Sequence, residues 1–283
     1  MLPRQSTLPR IAIPMPHGSD SKYAERAIPQ YERAVALAGG EPVRIALDRS
    51  ALKIKNVLEN CDGLLLPGSK ADIDPARFHA PRSPRTAMAD PRRDEVDNLL
   101  LDDAYRLRKP VFGICYGLQS LNVYCSGSLI QHIPDFLPEA TRTKVNHEAG
   151  SKVPVAHSVE IDSESLLGKI LCSDGRGRAS GQSQLGGEVS TIILPVNSSH
   201  HQSADAIGAG LRLIARCPDD GIIEALEGTA PDHFVLAVQW HPERSVNDDP
   251  ASRAIFRAFI EAAGTRARDN IAAPRAAASS KLK

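Results

Sequence analysis

Short apolar runs alternate along the first half of the chain with stretches whose apolar residues recur every three or four positions. Ile11-Ala12-Ile13 predicts a first strand. A helix follows over roughly Tyr23 to Ala38, with Ala27, Tyr31, Ala34, Val35 and Ala38 on one side and Gly39-Gly40 as its stop. Pro29 inside it predicts a kink or a later start. Pro42 to Ala46 reads as a second strand, and Gly63 to Leu66, apolar throughout, as a third covered on both faces. The Pro- and Arg-rich residues 76–93 predict an irregular excursion able to overhang a site as a flap. A helix from Asp94 to Leu107 carries Val96, Leu99, Leu100 and Leu107. A short apolar strand then ends at Ile114, and Leu118, Leu121, Tyr124 and Cys125 mark the next helix. Strands and helices alternating over short connections predict an α/β fold: a doubly wound, mostly parallel sheet with helices on both faces.

The second half is richer in strands and predicts a smaller antiparallel section. His157 to Ile161, Ile192 to Val196, Arg212 to Arg216, Ile222 to Leu226 and Phe234 to Gln239 are strand-like, with a short helix at Leu166 to Leu171. Ser173 to Gly187, rich in Gly, Ser and Arg, reads as a flexible surface loop. A closing helix at about Ala251 to Ala263 carries Ile255, Phe256, Phe259 and Ile260. Residues 265–283 have no apolar period and are expected to be a disordered tail, which leaves 1–264 as one domain.

Composition narrows the function. With 42% hydrophobic content over 283 residues, the chain can bury one large α/β core. Lys plus Arg equals Asp plus Glu at 34 each, so nothing points to a nucleic-acid or acidic-membrane footprint. No apolar run approaches a membrane span, and Met1 to Arg10 holds no apolar segment of the kind a signal peptide needs. Five cysteines, without a Cys-x-x-Cys pair, suggest reduced thiols and a cytoplasmic location. Cys61, Cys125, Cys172 and Cys217 read as small packing residues.

The chemistry centres on Gly113-Ile114-Cys115-Tyr116-Gly117-Leu118-Gln119. The pattern fits either a nucleophile elbow with Cys as the nucleophile, a sharp strand-to-helix turn that lifts the side chain out of the sheet, or a buried Cys on an ordinary strand-to-helix connection. The flanking glycines suit close backbone approach, and a helix N-terminus favours a thiolate. Gly68-Ser69, at the carboxyl end of the third strand, could supply oxyanion donors or be an ordinary turn capping the next element. Arg92, Arg93 and Asp94 could meet a zwitterionic substrate or form a solvated helix entry. In Asn197-Ser198-Ser199-His200-His201-Gln202, adjacent histidines on extended backbone point apart. That argues against a metal and leaves either a pocket-lining His or two structural ones. In Trp240-His241-Pro242-Glu243 a strand delivers a His with a carboxylate two positions on, so that Glu243 could hold the imidazole tautomer.

Together, the Cys115 elbow, Val238-Gln239-Trp240-His241-Pro242-Glu243 and Leu66-Pro67-Gly68-Ser69 resemble the class I glutamine amidotransferase fold, of flavodoxin-like type. Ala71-Asp72-Ile73-Asp74-Pro75, Asp90-Pro91-Arg92-Arg93-Asp94, Leu121-Asn122-Val123 and the Asn197 to Gln202 run resemble the γ-glutamyl-γ-aminobutyrate hydrolase group, peptidase family C26. The resemblance implies Cys115 as nucleophile, His241 as base then acid, and Glu243 as its orienting carboxylate. It implies an oxyanion hole from Gly68, Ser69 and Tyr116, with Gln119, Arg92, Asp94, Asn197, Ser198, His200, His201 and Gln202 near a small γ-glutamyl substrate. No metal or other cofactor is implied, and a homodimer is left open. Tyr116, where the group often has Arg, and Gly-Ser in place of Gly-Gly bear on the substrate rather than the catalysis. The alternative is a glutaminase subunit feeding ammonia to a synthase partner. A non-catalytic binding protein is disfavoured by the intact triad.

Overall fold

The computed structural model describes residues 8–173 and 190–279, with side chains to residue 268. The first half runs β1 (Arg10–Pro14), α1 (Ser21–Leu37), β2 (Glu41–Ile45), α2 (Ala51–Leu58), β3 (Gly63–Leu66), α3 (Pro91–Leu107), β4 (Val111–Ile114) and α4 (Tyr116–Tyr124). The second contributes β5 (Leu129–Ile130), α5 (Ile133–Phe136), α6 (Glu139–Arg142), β6 (His157–Asp162), α7 (Leu166–Ser173), β7 (Thr191–Val196), β8 (Ser203–Ala204), β9 (Leu211–Arg216), β10 (Ile223–Gly228), β11 (Val235–Val238) and α8 (Pro250–Ser279).

Nine strands form one sheet in the order β2-β1-β3-β4-β11-β10-β9-β6-β7. The pairings β2-β1, β1-β3, β3-β4 and β4-β11 are parallel, and from β11 outward every pairing is antiparallel. Alternation along the strands explains the two layers. Ile11, Ile13, Leu65, Phe112, Ile114, Leu236 and Val238 pack with α1, α7 and α8. Their neighbours Ala12, Leu64, Leu66, Val111, Val235 and Ala237 pack with α2, α3 and α4. A strand buried on both faces must be apolar throughout, which is why β3, β4 and β11 show no polar side, whereas the edge strand β2 carries Glu41 and Arg44. Phe112 sits at the centre, its ring 5.3 Å from that of Phe256 and 5.7 Å from that of Phe259.

Several elements depart from the sequence reading. α1 passes through Pro29 unbroken; the Asp20 carboxylate caps its start, and the buried stripe Ala24, Ile28, Tyr31, Ala34 and Val35 outweighs the ring. α2 was not anticipated from the sequence. α3 begins at Pro91 rather than Asp94, because Asp90 caps it and proline suits the first helical position. The stretch before it is anchored rather than free: Ser83 N–H and Thr86 Oγ1 donate to Gln131 Oε1, and Ala87 N–H donates to Asp72 Oδ2. α8 continues past residue 264, where structure was expected to end; the Ala- and Arg-rich composition favours helix without needing an apolar stripe. The loop expected over 173–187 lies, Ser173 apart, outside the described residues.

Among the described glycines, the closest packing is at the elbow. A Cβ placed on Gly117 would stand 2.1 Å from the Leu66 carbonyl oxygen, and one on Gly113 would stand 2.8 Å from the Gly117 carbonyl oxygen. Helix propensity alone favours Ala over Gly by about 1 kcal/mol. The clash is with rigid backbone and reverses the sign. Gly117→Ala should destabilise the chain by about 2 kcal/mol or more, read as a lower urea midpoint at unchanged slope.

Candidate active site

Cys115 closes β4 and stands at the N-terminus of α4 with φ 54° and ψ −105°. A non-glycine residue in such a conformation is strained, and strain of this kind persists only where surroundings impose it. The Cys115 N–H donates to the Val238 carbonyl of β11 at 2.8 Å, and the Cys115 carbonyl accepts from Leu118 and Gln119 in the first turn of α4. The residue is thus pinned from both sides.

Parallel pairing of β4 with β11 places Ile114 opposite Val238, so the segments following each strand emerge side by side at the carboxyl edge of the sheet. One carries Cys115 and the other His241. The Asn197 side chain clamps the His241 backbone, accepting from its N–H at 2.9 Å and donating to its carbonyl at 2.9 Å. His241 Nδ1 lies 2.8 Å from Glu243 Oε1, so the Nδ1–H donates to the carboxylate and Nε2 is left for Cys115. Both side chains border Gly68, and Cys115 acts electrostatically on the imidazole. Burial opposes a charge on His241, but Glu243 and Cys115 outweigh it and lift its pKa to about 9. Burial alone would raise Glu243; His241 and Arg244 hold it below the usual carboxylate range.

A thiol on a strained strand-to-helix turn, an imidazole of fixed tautomer and a buried carboxylate at one strand edge are groups of the kind that acyl transfer uses. The peptidase C26 family model matches residues 12–243. The chain belongs to the peptidase C26 family. Among its C26 relatives is the γ-glutamyl-γ-aminobutyrate hydrolase of Escherichia coli O157:H7, 32% identical over 244 residues that cover 82% of this chain and 84% of that protein. A glutamine amidotransferase-like protein of Rickettsia prowazekii is 30% identical, covering 82% and 87%. The glutaminase domain of Trypanosoma brucei CTPS shares the fold, with a TM-score of 0.54 at 17% identity over 91% of this chain and 94% of that one. Family and relatives together support an amide hydrolase.

The other residues expected at the site divide by position. Gly68 is beside Cys115 and His241: a Cβ on it would be 3.0 Å from His241 Cε1 and 3.7 Å from Cys115 Cβ. Its N–H donates to the Tyr31 hydroxyl at 3.0 Å, and burial pushes that phenol well above its ordinary pKa, keeping it neutral. Ser69 turns its hydroxyl to the Ala71 N–H. Tyr116 is buried; its hydroxyl donates to Asp94 Oδ1 at 2.7 Å, where Arg77 also donates. Asp94 is therefore a structural acceptor. Arg92 is exposed and paired with Glu95. Gln119 donates to the Gln202 carbonyl and to Gln239. Ser198 donates to the His147 carbonyl, His200 Nδ1 to the Gln202 carbonyl, and Gln202 to the Gln131 carbonyl. His201 pairs with Asp72 at 2.9 Å, which raises its pKa. These side chains are engaged with the protein itself.

Arg93 is the residue whose weight the sequence concealed. It is fully buried, donates to Asp97 at 2.6 Å, to the Pro16 carbonyl at 3.2 Å and to the Pro67 carbonyl at 2.7 Å, and its guanidinium lies 4.8 Å from the Tyr116 ring centre. It thereby fixes the residue before Gly68. Its signal was position: with Asp90 as cap, Arg93 falls one turn before Asp97 on the face turned to the sheet. Removing one partner of a buried ion pair typically costs 3–5 kcal/mol. Arg93→Met should lower stability by about that much, and Arg93→Met with Asp97→Leu should recover most of it in urea unfolding.

Proposed function

We propose that the chain hydrolyses γ-glutamyl amide bonds through a γ-glutamyl thioester, with Cys115, His241 and Glu243 as the triad. The observation that carries this reading is the strained Cys115 elbow held against an imidazole whose other nitrogen is already given to a buried carboxylate. The Cys115 thiolate attacks the γ-carbonyl, and the negative charge moves to the carbonyl oxygen. Backbone N–H groups of Tyr116 and of the Gly68-Ser69 turn receive that oxyanion, each worth about 3 kcal/mol in the transition state. The Gly68 N–H would exchange its Tyr31 partner for the oxyanion. The imidazolium of His241 gives its Nε2 proton to the departing amine as the C–N bond breaks. Water, deprotonated by His241, then attacks the thioester; glutamate leaves and the thiol is restored. Glu243 stays ionised throughout and fixes the ring. The fold leaves the amine half of the substrate unassigned, since Asn197, Ser198, His200 and Gln202 are spent on internal contacts.

Glutamate release from γ-glutamyl-γ-aminobutyrate, other γ-glutamyl amines, a γ-glutamyl peptide and free glutamine tests the reading. Turnover of a γ-glutamyl amine should exceed that of glutamine, and Cys115→Ala should reduce it by about 10⁴-fold or more. Turnover confined to glutamine would sink it in favour of a glutaminase supplying a synthase. The raised His241 pKa predicts a pH profile as well. The working pair is thiolate and imidazolium, so kcat/KM should fall as pH rises through about 9, where the imidazolium loses its proton. Glu243→Gln removes the charge that holds that proton, and the alkaline limb should move to lower pH.

A further inference from the structure

Four buried groups converge that the sequence does not bring together. His147 comes from the segment after α6, His157 opens β6, His200 lies in the loop after β7, and Glu224 sits in β10. Their donor atoms all lie within 4.8 Å of one another. Glu224 Oε1 is 3.3 Å from His147 Nδ1, 3.5 Å from His157 Nε2 and 3.6 Å from His200 Nε2.

The outer ring nitrogens settle the tautomers. His157 Nδ1 faces the Ser158 carbonyl at 3.1 Å and His200 Nδ1 the Gln202 carbonyl at 2.9 Å; a carbonyl only accepts, so both nitrogens carry hydrogen. His147 Nε2 faces Asp220 Oδ2 at 2.9 Å and carries hydrogen likewise. In the neutral rings the inner nitrogens are then bare lone pairs. Together with both oxygens of Glu224, all three lack a hydrogen-bond partner among the described residues. Buried polar atoms are seldom left so, and lone pairs aimed at one another and at a carboxylate repel. The cluster calls for a cation at its centre.

Its dimensions suit one. Ligands about 2.05 Å from a tetrahedral centre stand about 3.4 Å apart, close to the three measured nitrogen–oxygen separations. The nitrogen–nitrogen edges shorten as the rings swing inward. Each outer N–H is held by a carboxylate or a carbonyl, the arrangement that orients metal-ligating histidines. A cleft lined by Arg142, Asn146, His147, His200 and His201 offers a route in.

We propose that His147, His157, His200 and Glu224 form a closed, structural site for a divalent transition-metal ion, best matched by zinc. Three imidazoles and one carboxylate in tetrahedral array fit the preferences of zinc, and four protein ligands leave no open position for chemistry. The ion would tie β6, β10 and two loops together. One of those loops carries Asn197, which clamps His241. It would therefore act as a brace behind the proposed active site and would hold whether or not the γ-glutamyl reading does.

Metal content decides the matter. Full-length chain purified without a metal-affinity step should carry about one zinc per chain by inductively coupled plasma mass spectrometry. Chelator-stripped protein titrated with Co²⁺ should develop the visible bands of a tetrahedral centre of three nitrogens and one oxygen. Glu224→Gln and His157→Gln should each cut bound metal to below roughly a tenth per chain, with circular dichroism reporting on the fold. Wild-type protein that takes up neither Zn²⁺ nor Co²⁺ in excess would overturn the assignment whatever the variants do, leaving a proton as the cation. Metal bound equally by wild type and folded variants would overturn it too, because the ion would lie elsewhere.

Discussion

The parallel pairing of β4 with β11 is the constraint on which the rest depends. β11 is the last strand in the sequence, yet it lies beside β4 at the centre of the sheet, with Val238 opposite Ile114. Nothing local brings Cys115 near His241; the residues are separated by most of the second half of the chain. The register does. Because side chains alternate strictly along a strand, a slip of one residue would turn Leu236 and Val238 from the α1–α8 layer to the opposite one, and the apolar packing on both faces forbids it. Core packing thus sets how Cys115 and His241 stand to one another.

Given that register, the remaining task is to hold two short segments still at the sheet edge, and both are held from behind by buried polar groups. The Gly68 turn is fastened through Arg93, whose charge is balanced by Asp97 and whose remaining donors take the Pro16 and Pro67 carbonyls. The His241 segment is fastened through Asn197. Buried charges of this kind contribute little net stability, since desolvation offsets the attraction. Their value is directional: a guanidinium that must satisfy several acceptors has one acceptable position.

The parallel half of the fold was largely legible, because continuous apolar strands and three- to four-residue spacing leave little choice of layer. The elbow was legible for the same local reason: two glycines around a Cys at a strand–helix boundary have few other uses. What escaped was non-local. Arg92, Arg93 and Asp94 look alike in a charged run, and only the Asp90 cap, which starts α3 earlier, sends Arg93 inward while Arg92 stays exposed. The alternating His200 and His201 were read against a metal because neighbours on extended backbone diverge. They do diverge: His201 turns to Asp72 and His200 to Glu224. That reading weighed the pair alone, and His147, His157 and Glu224 approach His200 from three other segments. The one advance sign was Glu224 itself, a carboxylate within the apolar run Ile222-Ile223-Glu224-Ala225-Leu226. A fully buried strand does not carry a charge without a partner to meet it.

The antiparallel extension then has a purpose beyond widening the sheet. A doubly wound core ending at β11 would present Cys115 on a firm elbow but leave the His241 segment supported on one side. β10 supplies the Glu224 carbonyl that receives the Gln239 N–H at 2.7 Å, two residues before His241. β7 leads into Asn197, and the β5–β8 pair and the Ile133 N–H bound to the His201 carbonyl tie that loop to the chain after α4. The same strands deliver His157 and Glu224 to the buried cluster. A nucleophile on a strained turn is positioned by its own backbone, whereas a histidine in a loop has to be positioned by others. The Asn197 clamp answers that asymmetry on the His241 side.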